Sequence, residues 1–191
     1  MLRGRDIKRY GYDFADLWLI NSHNGIKEKG VKRIEINDYP SIKKHLDQYY
    51  PRLEKRADKG DTPYNLRNCA YMEDFSRQKI MYSEIVREPQ FYLDKNGEFF
   101  AEATSFIMTG EHLEYLYHLL NSKTATYFFK TFYAGGSLGN EGFRYKKAFL
   151  EKLPIPINNE NIEINKDNAN DVIFKLYKLD TSEIEFLENQ L

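Results

Sequence analysis

Hydrophobic and polar positions change their period several times along this 191-residue chain, and each change predicts a different kind of element. Residues 10–20 alternate loosely, which is typical of extended strands that end in a loop. From residue 38 to Gly60, apolar side chains recur at helical spacing, while the polar side carries several Lys and Arg. The pattern therefore predicts a basic helix that is kinked at Pro51 and ends at Gly60.

Three later stretches favour β-structure. The run KIMYSEIV at residues 79–86 is typical of a buried strand. Residues 91–108 alternate on both sides of Asn96-Gly97, a dipeptide that favours a two-residue turn, and so predict a hairpin. The apolar run LPIPI at residues 153–157 indicates a further short strand.

Helical periodicity returns in the second half of the chain. It predicts helices over residues 113–120 and 122–132, and two short amphipathic helices after residue 170. The predicted fold class is therefore α+β: a twisted, mainly antiparallel sheet packed with helices, plus a small helical C-terminal part.

Composition restricts the class of protein further. With 41% hydrophobic and 15% aromatic residues, the chain is too apolar to be disordered. No run approaches the roughly 20 apolar residues that a membrane span requires, and the N-terminus lacks the pattern of a signal peptide. Cys69 is the only cysteine, so an internal disulfide is impossible. We expect a cytoplasmic protein without a membrane partner.

Charge is distributed unevenly although the net charge is only −1. Residues 1–60 contain 14 Lys and Arg against 9 Asp and Glu, whereas residues 158–191 contain 3 against 8. A basic N-terminal third attracts polyanions such as nucleic acid. An acidic tail is commonly solvated, or it docks on a basic surface.

No motif in the sequence supports a catalytic or metal site. The glycine-rich segment 135–142 lacks the GK[ST] ending of a P-loop and the GxGxxG of a dinucleotide site. It provides either a backbone that a ligand can approach closely or a flexible turn before a strand. Residues 61–64, DTPY, differ from the catalytic DPPY motif of amino-methylating enzymes and are interpreted as a loop. The four histidines lack zinc-ligand spacing.

Several segments together, in their order along the chain, resemble a known family, the TaqI-type C-terminal specificity domain. The segments are LRGRDIKRY (2–10), LEKRADKGDTPYNLR (53–67), FSRQKIMYSEI (75–85), YLYHLLNSK (115–123) and FRYKKAFLEKLPIP (143–156). This domain is the target recognition part of adenine-specific DNA methyltransferases and of Type IIG (Eco57I-like) restriction-modification enzymes. The resemblance predicts a recognition domain over residues 1–157, followed by an acidic helical C-terminal segment at residues 158–191.

The resemblance also implies a division of labour. The catalytic half, with its S-adenosylmethionine site and NPPY-type motif, is expected upstream, so the start at Met1 directly before LRGRDI is interpreted as that of an excised C-terminal region. The expected partners are double-stranded DNA and the methyltransferase domain of the same polypeptide. This chain is expected to select the DNA site without chemistry or a cofactor of its own.

Candidate DNA contacts follow from charge and position. Helical spacing predicts that Arg52, Arg56 and Lys59 share one stripe, and we expect these residues and Arg67 to contact phosphates or a groove. For base reading, we favour Ser137 and Asn140 of the glycine-rich segment together with Arg144, which follows it, since Asn suits adenine edges and Arg suits guanine edges. Further basic residues stand beside aromatic ones and are predicted DNA contacts as well: Lys8, Arg9, Arg77, Lys79, Lys146 and Lys147.

Two other functions are compatible with the same residues. One is a protein-docking module that binds the catalytic domain or a partner subunit and has little DNA affinity of its own. The other is a small enzyme with a nuclease or methyltransferase site.

Overall fold

The computed structural model describes residues 1–133 and 142–190 of the chain. The described strands are β1 (Ile7–Lys8), β2 (Gly11–Tyr12), β3 (Lys79–Ser83), β4 (Ile85–Val86), β5 (Phe91–Asp94), β6 (Ser105–Met108) and β7 (Phe143–Arg144). The described α-helices are α1 (Pro40–Asp47), α2 (Tyr50–Lys55), α3 (Leu113–Leu120), α4 (Lys123–Phe132), α5 (Lys147–Leu150), α6 (Ala169–Leu176) and α7 (Thr181–Gln190). Helices and antiparallel sheets in one chain confirm the predicted α+β class.

Contacts divide the chain into two compact units. The sheet unit consists of Met1–Leu17 together with the chain from Asp74 onwards. The inserted unit is the intervening stretch Trp18–Glu73, which contains α1 and α2. The predicted boundary at residue 157 remains a prediction.

The sheet unit is organised around β3, the central strand of an antiparallel sheet with the order β5-β3-β6. Because side chains alternate along a strand, β3 supplies residues to both faces of the sheet. Ile80 and Tyr82 enter the main core with helices α3 and α4, whereas Met81 packs on the other face against Leu2 and Ile7 of the N-terminal segment. All five residues of β3 are buried.

The helical layer extends to the C-terminus. Ser122 caps α4, since its hydroxyl accepts a hydrogen bond from the backbone N–H of Ala125. Leu119 and Ala125 of this layer share a buried cluster with Ile173 of α6, and α7 packs against α4. The four predicted helices after residue 110 are thereby confirmed.

A buried ion pair closes one end of the sheet. Lys79 and Asp94 lie opposite each other in the β3–β5 ladder, both side chains are 0% exposed, and the lysine Nζ lies 2.5 Å from the carboxylate Oδ2. The same ammonium donates to the carbonyl of Phe75, while the carboxylate accepts the backbone N–H groups of Glu98 and Phe99. Through these bonds the ion pair joins the segment before β3, at Phe75, to the segment after β5, at Glu98 and Phe99.

This arrangement overturns the predicted hairpin over residues 91–108. Strands β5 and β6 do not pair with each other, because each pairs with an opposite edge of β3. After the turn at Gly97, the chain first runs beside the N-terminal segment, where Leu2 donates to the carbonyl of Phe100 and accepts from the N–H of Glu102. Asn96-Gly97 does form a turn, but that turn leads the chain away from β5.

Two other local predictions require correction. The apolar run 153–157 forms no strand, consistent with Pro154 and Pro156, which cannot donate to a ladder. The basic helix is split at the predicted place, with Pro51 in the first turn of α2, but it ends at Lys55 instead of Gly60.

The inserted unit has a polar interior. Within residues 18–73, all of which are described, the buried apolar side chains are only Ile26 and Ile36. Asn65 is 1% exposed, and its amide donates to the carbonyls of Ser22, His23 and Ile34. Buried hydrogen bonds therefore hold the inserted unit together, whereas apolar packing holds the sheet unit together.

A second amide completes this interior. Asn24 is buried, donates to the side chains of Asp61 and Asn68, and accepts the backbone N–H of Asp61. Gly60 lies against it so closely that an added Cβ would come 2.4 Å from the Asn24 oxygen. Any side chain at position 60 would consequently displace Asn24.

We expect Asp94→Ala to destabilise the chain by about 3–5 kcal/mol, because it leaves the Lys79 ammonium buried without its counter-ion. Urea unfolding followed by circular dichroism measures the loss. The double variant Lys79→Met/Asp94→Leu removes both charges and should lose less than Asp94→Ala. Glu98→Ala, at the neighbouring exposed position, serves as the control. A change below 1 kcal/mol for Asp94→Ala would contradict the role given to the pair.

Asn65→Ala should weaken the inserted unit selectively, at a cost of about 1–3 kcal/mol, because it removes a buried amide shared by three backbone carbonyls. The carbonyls of Ser22 and His23 keep the backbone N–H groups of Leu66 and Ile34, whereas the carbonyl of Ile34 loses its donor. Hydrogen exchange resolved by segment should show faster exchange in residues 18–36 and 59–68, with β3 and β5 unchanged. Asn37→Ala, at an exposed position of the same unit, is the matched control. Equal exchange in the two variants would show that Asn65 does not organise this interior.

Candidate nucleic-acid interface

The α-helices of the inserted unit, α1 and α2, are largely exposed. Pro40 and Pro51 each occupy the first turn of a helix, where proline is tolerated. Neither helix contains a buried residue. Both helices consequently present most of their side chains to solvent.

Three cations on this helix pair are free to meet a ligand. Lys44, Arg52 and Lys55 are exposed, and within the part of the chain that the structure describes none has an ion-pair or hydrogen-bond partner for its side chain. Tyr39 and Tyr49 are exposed in the same stretch. Free cations beside aromatic rings suit a polyanion that also offers sugar and base surfaces.

A neighbouring cation is already engaged. The Lys43 ammonium lies 2.8 Å from the carboxylate of Asp47, which also accepts the hydroxyl of Tyr64. The hydrogen bond from Lys43, followed by that from Tyr64, holds the pKa of Asp47 below its usual range. This group joins α1 to the loop after α2, so Lys43 acts as an internal brace.

The predicted stripe of Arg52, Arg56 and Lys59 does not exist. Helix α2 ends at Lys55, and Arg56 is already extended, with φ −62° and ψ 127°. The Arg56 guanidinium donates to the carbonyls of Pro63 and Asn65, and the Lys59 ammonium donates to the carbonyl of Glu54. Only Arg52 of the predicted stripe therefore remains free.

Arg67 lies in the same unit, after the helices in sequence. Its guanidinium is exposed and lies 3.6 Å from the carboxylate of Asp58. An exposed pair of this kind exchanges partners at little cost, so a phosphate contact by Arg67 stays a prediction.

In the sheet unit, the prediction that Lys79 contacts DNA is wrong. Its side chain is fully buried and paired with Asp94. The nearby Arg77 is 66% exposed, with a guanidinium nitrogen 3.8 Å from Asp74, and its role as a DNA contact stays a prediction.

Lys8 and Arg9 stand at the end of β1. The Lys8 ammonium donates to the carbonyl of Arg5 and lies 3.5 Å from Asp13. Arg9 is exposed, donates to the carbonyl of Asn121, and lies over the ring of Tyr10. Both side chains have internal partners, and their contact with DNA is untested.

The third predicted group follows the glycine-rich segment. Ser137 and Asn140 lie outside the described residues. Arg144 belongs to β7, and its buried Nε finds no acceptor among the described residues. Lys146 is exposed, and Lys147 is 81% exposed with its ammonium 3.6 Å from Glu151.

Sequence reasoning missed two of the free cations. Lys44 and Lys55 stand on the polar side of the basic helices, where their charge was visible, but the sequence did not show which lysines are neutralised by neighbours. The partners that distinguish Lys43 from Lys44 are Asp47 and the distant Tyr64, and only the fold places Tyr64 there.

The chemistry that this surface supports is binding. Unpaired Lys and Arg side chains contact phosphate oxygens, and exposed tyrosines contact sugars and bases. Among the described residues there is no cluster of His, Cys, Asp and Glu that would hold a metal ion. No helix in the described part is both long and apolar enough for a membrane span.

Comparison with known protein families gives a match over most of the chain. The family model of the TaqI-like C-terminal specificity domain matches residues 1–155, which include the inserted unit and most of the sheet unit. No curated protein matches the chain. The matched residues make up most of the 191-residue sequence, and the chain therefore belongs to the family of TaqI-like C-terminal specificity domains.

Proposed function

We propose that this chain recognises a specific double-stranded DNA sequence for a Type IIG restriction-modification enzyme or an adenine-specific DNA methyltransferase. Membership of the specificity-domain family implies recognition of a DNA target in restriction-modification enzymes. We infer in addition that the parent belongs to one of these two enzyme classes and that the helix pair α1–α2 contacts the duplex.

The observation that carries the proposal is the set of free cations Lys44, Arg52 and Lys55 on helices without a buried residue. Contacts with phosphates position a protein on the duplex but carry no sequence information by themselves. We assign this positioning role to the helix pair α1–α2.

Reading of bases requires side chains that reach the edges of base pairs. We assign it to the glycine-rich segment 135–142, with Ser137 and Asn140, and to Arg144, because Asn pairs well with adenine and Arg with guanine in the major groove.

The parent enzyme supplies the chemistry. A specificity domain is itself not catalytic, so we place the S-adenosylmethionine site and the methyl transfer in a linked methyltransferase domain. That domain would take the adenine out of the stack while this chain holds the flanking duplex. No cofactor is assigned to this chain.

The double variant Lys44→Ala/Arg52→Ala should bind duplex DNA more weakly, by about the same factor for every sequence. It should also lower the slope of log affinity against log salt by about 1.8, because each lost phosphate contact removes about 0.9. Fluorescence anisotropy with a labelled duplex at several potassium chloride concentrations gives both quantities.

Two controls accompany this test. Lys166→Ala removes an exposed cation from the acidic C-terminal segment and should leave the slope unchanged. Arg56→Ala should reduce stability, because that guanidinium holds two loop carbonyls. An unchanged slope in the double variant would remove α1–α2 from the interface. Absence of any duplex affinity in the natural chain would favour the protein-docking module.

A further inference from the structure

The sequence contains two Asn-Gly dipeptides, Asn24-Gly25 and Asn96-Gly97. In such a dipeptide the backbone nitrogen of glycine can attack the side-chain amide of the preceding asparagine, because glycine has no side chain that hinders the approach. Both glycines have a left-handed backbone, with φ 77° at Gly25 and φ 68° at Gly97. We therefore expect any difference in reactivity to come from the surroundings of each asparagine.

The first asparagine is held by the fold. Asn24 is 6% exposed, its side-chain nitrogen donates to Asp61 and Asn68, and its side-chain oxygen accepts the backbone N–H of Asp61. The N–H of Gly25, which would have to attack, donates to Nδ1 of His23. Both reacting groups are therefore engaged, and their reaction requires this part of the inserted unit to open.

The second asparagine is free to react. Asn96 is exposed, and neither its side chain nor the N–H of Gly97 has a hydrogen-bond partner in the part of the chain that the structure describes. Water reaches the side-chain amide, and the attacking nitrogen has no hydrogen bond to break. The reacting groups of this dipeptide are thus available in the folded chain.

The reaction proceeds by closure and opening of a ring. The Gly97 nitrogen loses its proton to a base in solution and bonds to Cγ of Asn96. The C–N bond of the side-chain amide breaks, and the amide nitrogen takes up a proton and leaves as ammonia. Water then opens the resulting succinimide at either of its carbonyls. One product is aspartate, and the other is isoaspartate, in which the main chain runs through the side-chain carbons.

The reactive turn lies directly beside the buried ion pair. Residues 95–97 connect Asp94 to the two backbone N–H groups that its carboxylate accepts. Gly97 has little spare room, since a Cβ added there would collide with the backbone of Ser76. Isoaspartate adds a methylene to the main chain of this turn, and we expect it to displace those N–H groups from the carboxylate. A buried carboxylate that loses its donors destabilises the fold.

We propose that Asn96 is a site of spontaneous deamidation in the folded chain, that Asn24 is protected from the same reaction, and that isoaspartate at position 96 weakens the Lys79–Asp94 pair. The modification needs only water as a co-reactant. It concerns the lifetime of the folded sheet unit and is independent of DNA recognition.

The full chain is incubated in mildly alkaline buffer, either folded or unfolded in concentrated urea, and peptide mapping by mass spectrometry measures the deamidated fraction at each asparagine. In the folded chain, Asn96 should react about tenfold faster than Asn24 or more, because Asn24 reacts only from opened states. In urea the two rates should become similar. Asn96→Gln, whose longer side chain closes a ring much more slowly, should abolish the fast reaction.

Urea unfolding of the incubated samples tests the link to the ion pair. The incubated natural chain should unfold at a lower urea concentration than the fresh chain, whereas incubated Asn96→Gln should keep its midpoint. Fresh Asn96→Asp carries the new charge without the additional methylene. Its midpoint should stay close to that of the natural chain, since position 96 is exposed.

Several results would overturn the proposal. Equal rates at Asn24 and Asn96 in the folded chain, or reaction of Asn96 in urea alone, would refute the site. An unchanged midpoint in a sample modified mostly at Asn96 would refute the link to Asp94. An equal loss in fresh Asn96→Asp would assign the effect to charge and refute the role of isoaspartate.

Discussion

The buried pair of Lys79 and Asp94 is the interaction on which the sheet unit depends. Both side chains are fully buried, so each charge is tolerable only while the other is in place. The pair fixes the register of β3 against β5, and it also gathers the carbonyl of Phe75 and the N–H groups of the turn after β5. Because β3 carries the main core on one face and the N-terminal segment on the other, this register determines where both layers pack.

The two units are stabilised by different interactions, and this difference affects which side chains remain available for binding. The sheet unit buries a large aromatic and aliphatic cluster, which provides a rigid scaffold. The inserted unit is organised by buried amides, and its helices bury no residue. Helices that contribute nothing to a core can keep their cations unpaired, as Lys44 and Arg52 do among the described residues. Charge along the sequence has the opposite sign at the C-terminal end, where residues 158–191 carry 8 Asp and Glu against 3 Lys and Arg.

Periodicity and turn chemistry were sufficient to predict most elements but not their partners. The helices after residue 110 and the strand that begins at Lys79 follow from local patterns and are present, although that strand ends at Ser83 and Ile85–Val86 belongs to another sheet. The hairpin prediction failed because Asn96-Gly97 specifies a turn and not what the next strand pairs with. The predicted DNA contact of Lys79 failed for a similar reason, whereas the contacts of Arg56 and Lys59 stay predictions although their helical stripe does not form. The sequence shows where a basic side chain stands, but not whether that side chain will pair with a buried carboxylate or donate to a backbone carbonyl in the folded chain.

Selection from a pool of randomised duplexes tests the central claim, sequence-specific DNA recognition, most directly. The full chain is immobilised, the pool is applied at low salt and again at higher salt, and the retained duplexes are sequenced. The account predicts enrichment of one short motif that survives the added salt, because direct contacts with bases depend less on counterion release than contacts with phosphates. Retention without enrichment, or no retention at all, would contradict it.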